Sequence, residues 1–145
     1  MTVSATQVAR ILGGKRILGR RVRTLADLRQ LVEAGLPLAS LSEVVEHLVG
    51  SEGAAAELKH RLVPKATLHR RRHRLSPQES ERLERLARMT ALAEWVWEDP
   101  TLANEFLTSA QPQLSGERPV DLARSDLGAR QVEELLMKLE YALPV

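Results

Sequence analysis

Ser76-Pro77-Gln78-Glu79 restricts the fold of this chain more than any other stretch. A serine able to cap the first turn, a proline at the first helical position and a glutamate three residues after the serine form a capping box, so a helix is predicted to begin at Pro77. Behind it Leu83, Leu86, Thr90, Ala93 and Trp97 recur at helical spacing and predict one buried stripe, with the other side facing solvent. Glu81 with Arg85, and Glu84 with Arg88, are four-residue charge pairs in the favourable order.

The same signals recur along the chain. A short helix is predicted from Ala5 to Leu12 behind Ser4, stopping at Gly13-Gly14, and Ile17 to Arg23 is the one stretch that reads as a strand. Thr24, with Asp27 three residues on, caps a helix carrying Leu25, Leu28, Leu31 and Val32 up to Gly35. Another follows Pro37 with Leu38, Leu41, Val44, Val45 and Leu48 inward, and Ser51 caps the next, which ends near Leu62. Pro64 breaks that helix and opens one running to about His73. After the long helix, Asp99-Pro100 starts a short one through Leu102, Phe106 and Leu107, and the polar stretch Ser109 to Pro119 interrupts it. A short turn is predicted over Val120 to Arg124, and Ser125 caps a last helix with Leu127, Val132, Leu135, Leu136 and Leu139 along one stripe. No sustained alternation of period two and no Asn-Gly or Asp-Gly hairpin turn is present, so an all-α fold is expected.

Composition narrows the function classes. The 145 residues, 43% hydrophobic and 28% charged, suffice for one sizeable core or two small ones. No run approaches the roughly 20 apolar residues of a membrane-spanning helix. Met1 to Gly14 lacks the features of a signal peptide, so a cytoplasmic protein without membrane association is expected. With no cysteine, disulfides, thiolate metal sites and cysteine nucleophiles are excluded. A net charge of +2 hides a division at Arg74. Residues 1–74 hold 14 Lys and Arg against 6 Asp and Glu, a balance of +8, and residues 75–145 hold 7 against 13, a balance of -6. All four histidines lie in the basic part and all four aromatic residues (Trp95, Trp97, Phe106, Tyr141) in the acidic part. A basic lobe suits nucleic acid, and an acidic lobe carrying aromatics suits a protein partner.

The stretch Leu62 to Arg74 reads as a helix-turn-helix, with a short turn at Pro64 and cationic donors packed into the second helix. Lys65, Thr67 and His69 lie nearest the helix start, where base edges are met. Arg70, Arg71, Arg72 and Arg74 wrap round the helix, so some of them are phosphate contacts or structural ions; a solvated basic face is the alternative for the whole run. The four-residue spacing of His69 and His73 is compatible with a shared metal, but no HExxH pattern or third ligand accompanies it. Gly13-Gly14-Lys15 lacks the rest of a phosphate-binding loop, and no GxSxG, triad or paired carboxylates stand out. Neither an enzyme nor a cofactor or metal site is expected.

The acidic part, from Leu83 to Tyr141, carries Arg85-Leu86-Ala87-Arg88, Phe106-Leu107, Pro112, Leu114-Ser115-Gly116, Pro119, Leu122, Gly128, and Val132 with Leu135, in that order. In these it resembles the toxin-binding domain of the Xre/MbcA/ParS antitoxins. Gly35-Leu36-Pro37 and Thr67-Leu68-His69-Arg70-Arg71 resemble the Xre-like helix-turn-helix region that precedes this domain in the family. The chain departs from the family pattern at Phe106-Leu107 (commonly Trp-Leu), Ala110-Gln111 (commonly Pro-Asn) and Ala142 (commonly Gly).

The resemblance implies residues 1–74 as a helix-turn-helix region for DNA binding and dimerisation, and residues 75–145 as a small helical toxin-binding domain. It implies a type II antitoxin that inhibits a NAD-consuming RES-type toxin by occluding its active site, and that binds operator DNA to regulate its own operon. A homodimer, or a larger complex with the toxin, is expected. The DNA-binding candidates are Lys65, Thr67, His69, Arg70, Arg71, Arg72 and Arg74. The toxin-binding candidates are Phe106, Leu114, Tyr141, Ala142, Leu143, Pro144 and Val145, because an apolar segment such as Tyr141 to Val145 suits a concave pocket. Trp95, Trp97 and Phe106 could anchor a partner or complete the domain's own core, with the core favoured for the tryptophans. The alternatives are a stand-alone helix-turn-helix transcription regulator and a ParS-like docking adaptor.

Overall fold

The structure, a computed structural model, describes residues 3–142. Ser76 Oγ accepts from Glu79 N at 3.1 Å, and the Glu79 carboxylate accepts from Ser76 N at 2.8 Å, so α7 (Pro77–Trp97) begins at its capping box. Other starts use the same chemistry. Ser4 with Gln7 opens α1 (Ala5–Ile11), and Thr24 with Asp27 opens α3 (Leu25–Ala34). Ser51 caps α5 (Glu52–Leu62), and Asp99 caps α8 (Pro100–Thr108) through Thr101 N. Between and after these lie α2 (Gly14–Leu18), α4 (Leu38–Leu48), α6 (Lys65–His69), a 3-10 turn at Pro112–Leu114, α9 (Pro119–Leu122) and α10 (Asp126–Ala142). The all-α expectation holds, and the basic helix-turn-helix part precedes the acidic helical part.

The architecture is a set of helices gathered round α7, which packs against α1, α3, α4, α5, α8 and α10. Met89, Ala91 and Leu92 are buried in addition to Leu83, Leu86, Thr90 and Ala93. The single-stripe expectation for this helix is therefore corrected: helices from both parts of the chain cover it on several sides. The Thr90 hydroxyl, buried here, donates to Leu86 O at 2.8 Å and so needs no outside partner. One cluster of buried apolar side chains runs from Ala5 through Leu86 to Leu136, so the two parts share a core.

The link between α3 and α4 is stitched to the start of α7. Leu75 N donates to Leu36 O at 2.8 Å and Leu38 N to His73 O at 3.1 Å, forming a single antiparallel bridge between Pro37 and Arg74. Leu36 N in turn donates to the buried Ser80 Oγ at 2.8 Å. Gly35 makes this approach possible: its φ is +97°, and a Cβ there would stand 2.4 Å from Leu75 O.

Three expectations are corrected. The stretch Ile17 to Arg23 is not a strand; α2 occupies its start and Gly19 N closes on Lys15 O at 2.9 Å. A lone strand would leave its backbone groups without partners, whereas a helical turn satisfies them locally. The helix expected to reach His73 ends at His69, because the chain turns at Arg70 and bends at 72–73 to reach the bridge at Arg74 and return toward α7. Leu25 and Leu127, expected on buried stripes, are 75% and 70% exposed, because each stands in the first turn of its helix, beyond the packed face.

Ser80→Ala leaves the buried Leu36 N–H without an acceptor and is expected to cost about 1–3 kcal/mol in urea unfolding. Because the core is shared, tryptophan fluorescence and far-UV circular dichroism should report one coincident transition in both the parent and the variant.

Candidate functional site

The helix-turn-helix is built from α5, the turn at Val63-Pro64, and α6. Leu58, Leu62 and Val63 anchor its first helix and turn in the core. Val63 is extended before Pro64, as the proline demands, and Leu68 N bonds Pro64 O at 2.9 Å to start the second helix. No residue of α6 is buried, so this turn of helix stands out from the body.

The structure divides the candidate DNA-binding residues into two groups. Lys65, His69, Arg70 and Arg72 are exposed, Thr67 is half-buried beside them, and none of the four exposed side chains meets a carboxylate among the described residues. Arg70 Nη2 reaches only Thr67 Oγ1, at 3.4 Å. Arg71 and Arg74 use donors inside the protein. Arg71 grips Glu79 through two hydrogen bonds of 3.0 Å, and Arg74 Nη1 donates to Gly35 O at 3.1 Å. The Arg71 guanidinium holds the Glu79 carboxyl below its ordinary range against the opposing effect of burial, with the Ser76 amide helping, and Glu79 raises Arg71 in return. One carboxylate thus caps α7 and fixes the chain leaving α6.

Two polar joints connect this part to the acidic part. His47 of α4 meets Glu94 of α7 at 2.5 Å, and Asn104 Nδ2 of α8 donates to His47 O at 2.9 Å. The hydrogen bond to Glu94 raises the His47 pKa above its ordinary value despite partial burial, and Glu43 adds to the rise. The second joint is a ring of four charges. Arg61 contacts Asp121 at 2.6 Å and Glu57 at 2.8 Å, and Arg118 contacts Asp121 at 2.9 Å and Glu57 at 3.3 Å. Burial pushes Asp121 upward, but bonds from Arg118 and Arg61 outweigh it and leave the carboxyl below its ordinary value. Sequence reasoning missed both joints, since the partners across them lie 47 to 61 residues apart. It also paired Arg85 with Glu81; instead Arg85 donates to Ala123 O at 2.9 Å and Arg124 O at 3.0 Å, holding the junction of α9 and α10. Glu84 and Arg88 do form the expected pair, at 3.9 Å.

On the acidic side, Phe106 and Leu114 are buried. Phe106 packs against Trp97 with ring centroids 6.0 Å apart. Leu114 lies at the base of a groove of about 280 Å3 along α10, bordered by Gln131, Glu134, Leu135 and Lys138. Tyr141 is 74% exposed on the last turn of α10. Ala142 closes that helix, and the side chain of Ala142 together with Leu143, Pro144 and Val145 lies outside the described residues. At Gly128 an added Cβ would come within 2.2 Å of Leu122 O, so a glycine is required where α9 turns into α10. Among the described residues no group of three His, Asp or Glu is placed to hold a metal, and no helix is long and apolar enough to cross a membrane.

Comparison with known proteins gives two matches in chain order. Residues 27–88 match the Antitoxin Xre-like helix-turn-helix domain, and residues 92–142 match the Antitoxin Xre/MbcA/ParS C-terminal toxin-binding domain. The two stretches meet inside α7. The chain is also similar to a curated protein named Antitoxin Xre from Pseudomonas putida, 33% identical over 84 residues. That match takes in 56% of this chain and 53% of the relative, so the chain spans about half the length of the curated relative it matches.

Glu79 and His47 give stability opposite slopes with pH. Glu79, lowered in the folded state, contributes stability that is present above its ordinary value of 4.5 and lost as pH falls through the folded value. Glu79→Gln should therefore lower the urea midpoint at pH 7, with the deficit shrinking toward pH 3. His47, raised in the folded state, contributes stability that is full below 6.5 and lost as pH rises through the folded value. His47→Gln should lower the thermal midpoint below pH 6.5, where the contribution is full, and flatten its decline above that pH.

Proposed function

The chain belongs to the antitoxin family that joins an Xre-like helix-turn-helix domain to an Xre/MbcA/ParS toxin-binding domain, and on that premise we propose that it silences a toxin and represses its own operon. The toxin is a NAD-consuming enzyme of the RES type, and the antitoxin acts by occluding its active site. The protein works in the cytoplasm as a homodimer or in a larger complex with the toxin, and it carries no catalytic residue itself.

The observation that carries this reading is the separation of unneutralised charge. Lys65 and His69 project from α6, a helix with no buried residue, and Arg70 and Arg72 from the turn after it, while the carboxylate-rich helices α7 to α10 share the core beneath. A helix so exposed and cationic suits the major groove, with Thr67 and His69 facing base edges and Arg70 and Arg72 meeting phosphates. Arg71 and Arg74 act as positioning residues that hold the segment in place. Two copies reading two half-sites would make the operator palindromic.

For the toxin, the contact is made by Tyr141 and the segment through Ala142, Leu143, Pro144 and Val145, while the buried Phe106 and Leu114 contribute through the packing of the acidic part. An exposed tyrosine leading into apolar residues fits a concave pocket better than it fits water. Occlusion of a NAD site needs only bulk there, not chemistry.

The test is co-purification with the product of the adjacent gene, followed by NAD consumption with and without this chain. Deleting Tyr141 to Val145 should weaken inhibition by about 30-fold, the equivalent of one anchor residue worth about 2 kcal/mol. Unchanged inhibition by the truncated protein removes the plug; loss of no NAD by the purified partner removes the NAD-consuming assignment.

A further inference from the structure

Six of the chain's 21 Lys and Arg lie between Arg10 and Arg23, and the first carboxylate of the chain is Asp27. All six are exposed. Arg20 is neutralised, with Nη2 at 2.8 Å from Asp27 and Nη1 at 3.2 Å from Gln30. The side chains of Arg10, Lys15, Arg16, Arg21 and Arg23 meet no carboxylate within 4.0 Å among the described residues. This group holds more free Lys and Arg than α6 and the turn after it, five against three (Lys65, Arg70, Arg72), and it precedes the stretch that matches the helix-turn-helix family.

The fold brings four of the six, Arg10, Lys15, Arg20 and Arg21, to one cleft, with Arg16 and Arg23 exposed on the same short stretch of chain. Val8, Ala9, Leu12, Leu18 and Val22 turn inward to the core, and Thr6 Oγ1 donates to Val22 O at 3.2 Å to hold the turn over 19–23 against α1. Arg10, Lys15, Arg20 and Arg21 border a cleft of about 180 Å3 floored by Ala9 and Val22. Both α1 and α2 pack on α4, which packs on α5, so the patch is fixed relative to the helix-turn-helix.

We propose that α1, α2 and the turn over 19–23 form a second DNA surface, which contacts duplex phosphates without reading sequence. Unneutralised like charges this close repel one another, and a polyanion relieves that repulsion while releasing its own counterions. The patch has no aromatic residue, so it lacks the stacking platform of a single-strand binder. Its large apolar residues are turned inward, so it also lacks the wedge that an interfacial membrane helix inserts. The proposal rests on the reading of α6 as a DNA contact, and assigns to the patch affinity and to α6 specificity.

The experiment measures binding of the full chain to its own promoter duplex and to a duplex of unrelated sequence, from 50 to 200 mM salt. Variant one is K15A/R16A/R21A/R23A; variant two, T67A/H69A, removes the two α6 side chains placed at base edges. The first should lose affinity for both duplexes alike, with the salt slope reduced by about 3 to 4 for four phosphates and the preference for the promoter retained. Variant two should lose the preference. A charge-retaining variant, K15R/R16K/R21K/R23K, should keep the parent slope, which separates loss of charge from loss of fold. If the parent binds DNA and variant one keeps its slope, the second surface is overturned and the α6 reading stands. If the parent binds neither duplex, both fall. If variant one binds DNA normally but no longer binds vesicles containing phosphatidylserine that the parent binds, the surface belongs to a membrane and the proposal is likewise overturned.

Discussion

The burial of α7 on several sides is the constraint from which the rest of the structure follows. A helix of 21 residues is roughly 30 Å long, enough for helices from both parts of the chain to use it as a common wall. Its first turn is also where three chain segments are tied together. Glu79 caps the helix and grips Arg71, Ser80 accepts the Leu36 amide, and Leu75 completes the bridge to the α3–α4 link. The exit from α6 is thereby positioned by the same turn that opens the central helix. The matched helix-turn-helix and toxin-binding stretches meet within this helix, so a perturbation of either is felt by a core that both share.

Within that frame the cationic residues take two roles, and burial of their neighbours decides which. Arg61, Arg71, Arg74, Arg85 and Arg118 face carboxylates or carbonyls that are partly removed from water, and their planar, multi-donor groups satisfy them. The remaining cations of α6 and of the N-terminal patch find no such acceptor and stay available to a polyanion. The charge ring of Glu57, Arg61, Arg118 and Asp121 gives the helix-turn-helix a direct link to α9 in the acidic part. Arg85 serves a comparable purpose within the acidic part, since the backbone at the α9–α10 junction is too tight for anything but Gly128 and leaves carbonyls that need a donor.

Much of the fold could be read from the chain because its signals are local. Capping boxes at Ser4, Thr24 and Ser76 act within three residues, and the boundaries they mark agree with the helices. The errors share a cause. Ile17 to Arg23 lacked a partner strand, and the helix after Pro64 was cut short by a bridge to residues nearly 40 positions away. Neither fact is present in a local window. The candidate site was legible in part for the same reason: the concentration of Lys and Arg after Pro64 is visible in one dimension, but which of them is free is not.

What the sequence by itself determined is therefore the set of helices, their order and the opposed charge of the two parts, because hydrogen bonds within a turn and the period of apolar residues depend on neighbours within four positions. What only the tertiary structure decided is the assignment of each charged group. Arg71 and Arg74 became structural, Arg70 and Arg72 stayed free, and His47 acquired Glu94, because an ion's partner and its degree of burial depend on segments that come together only when α7 is enclosed.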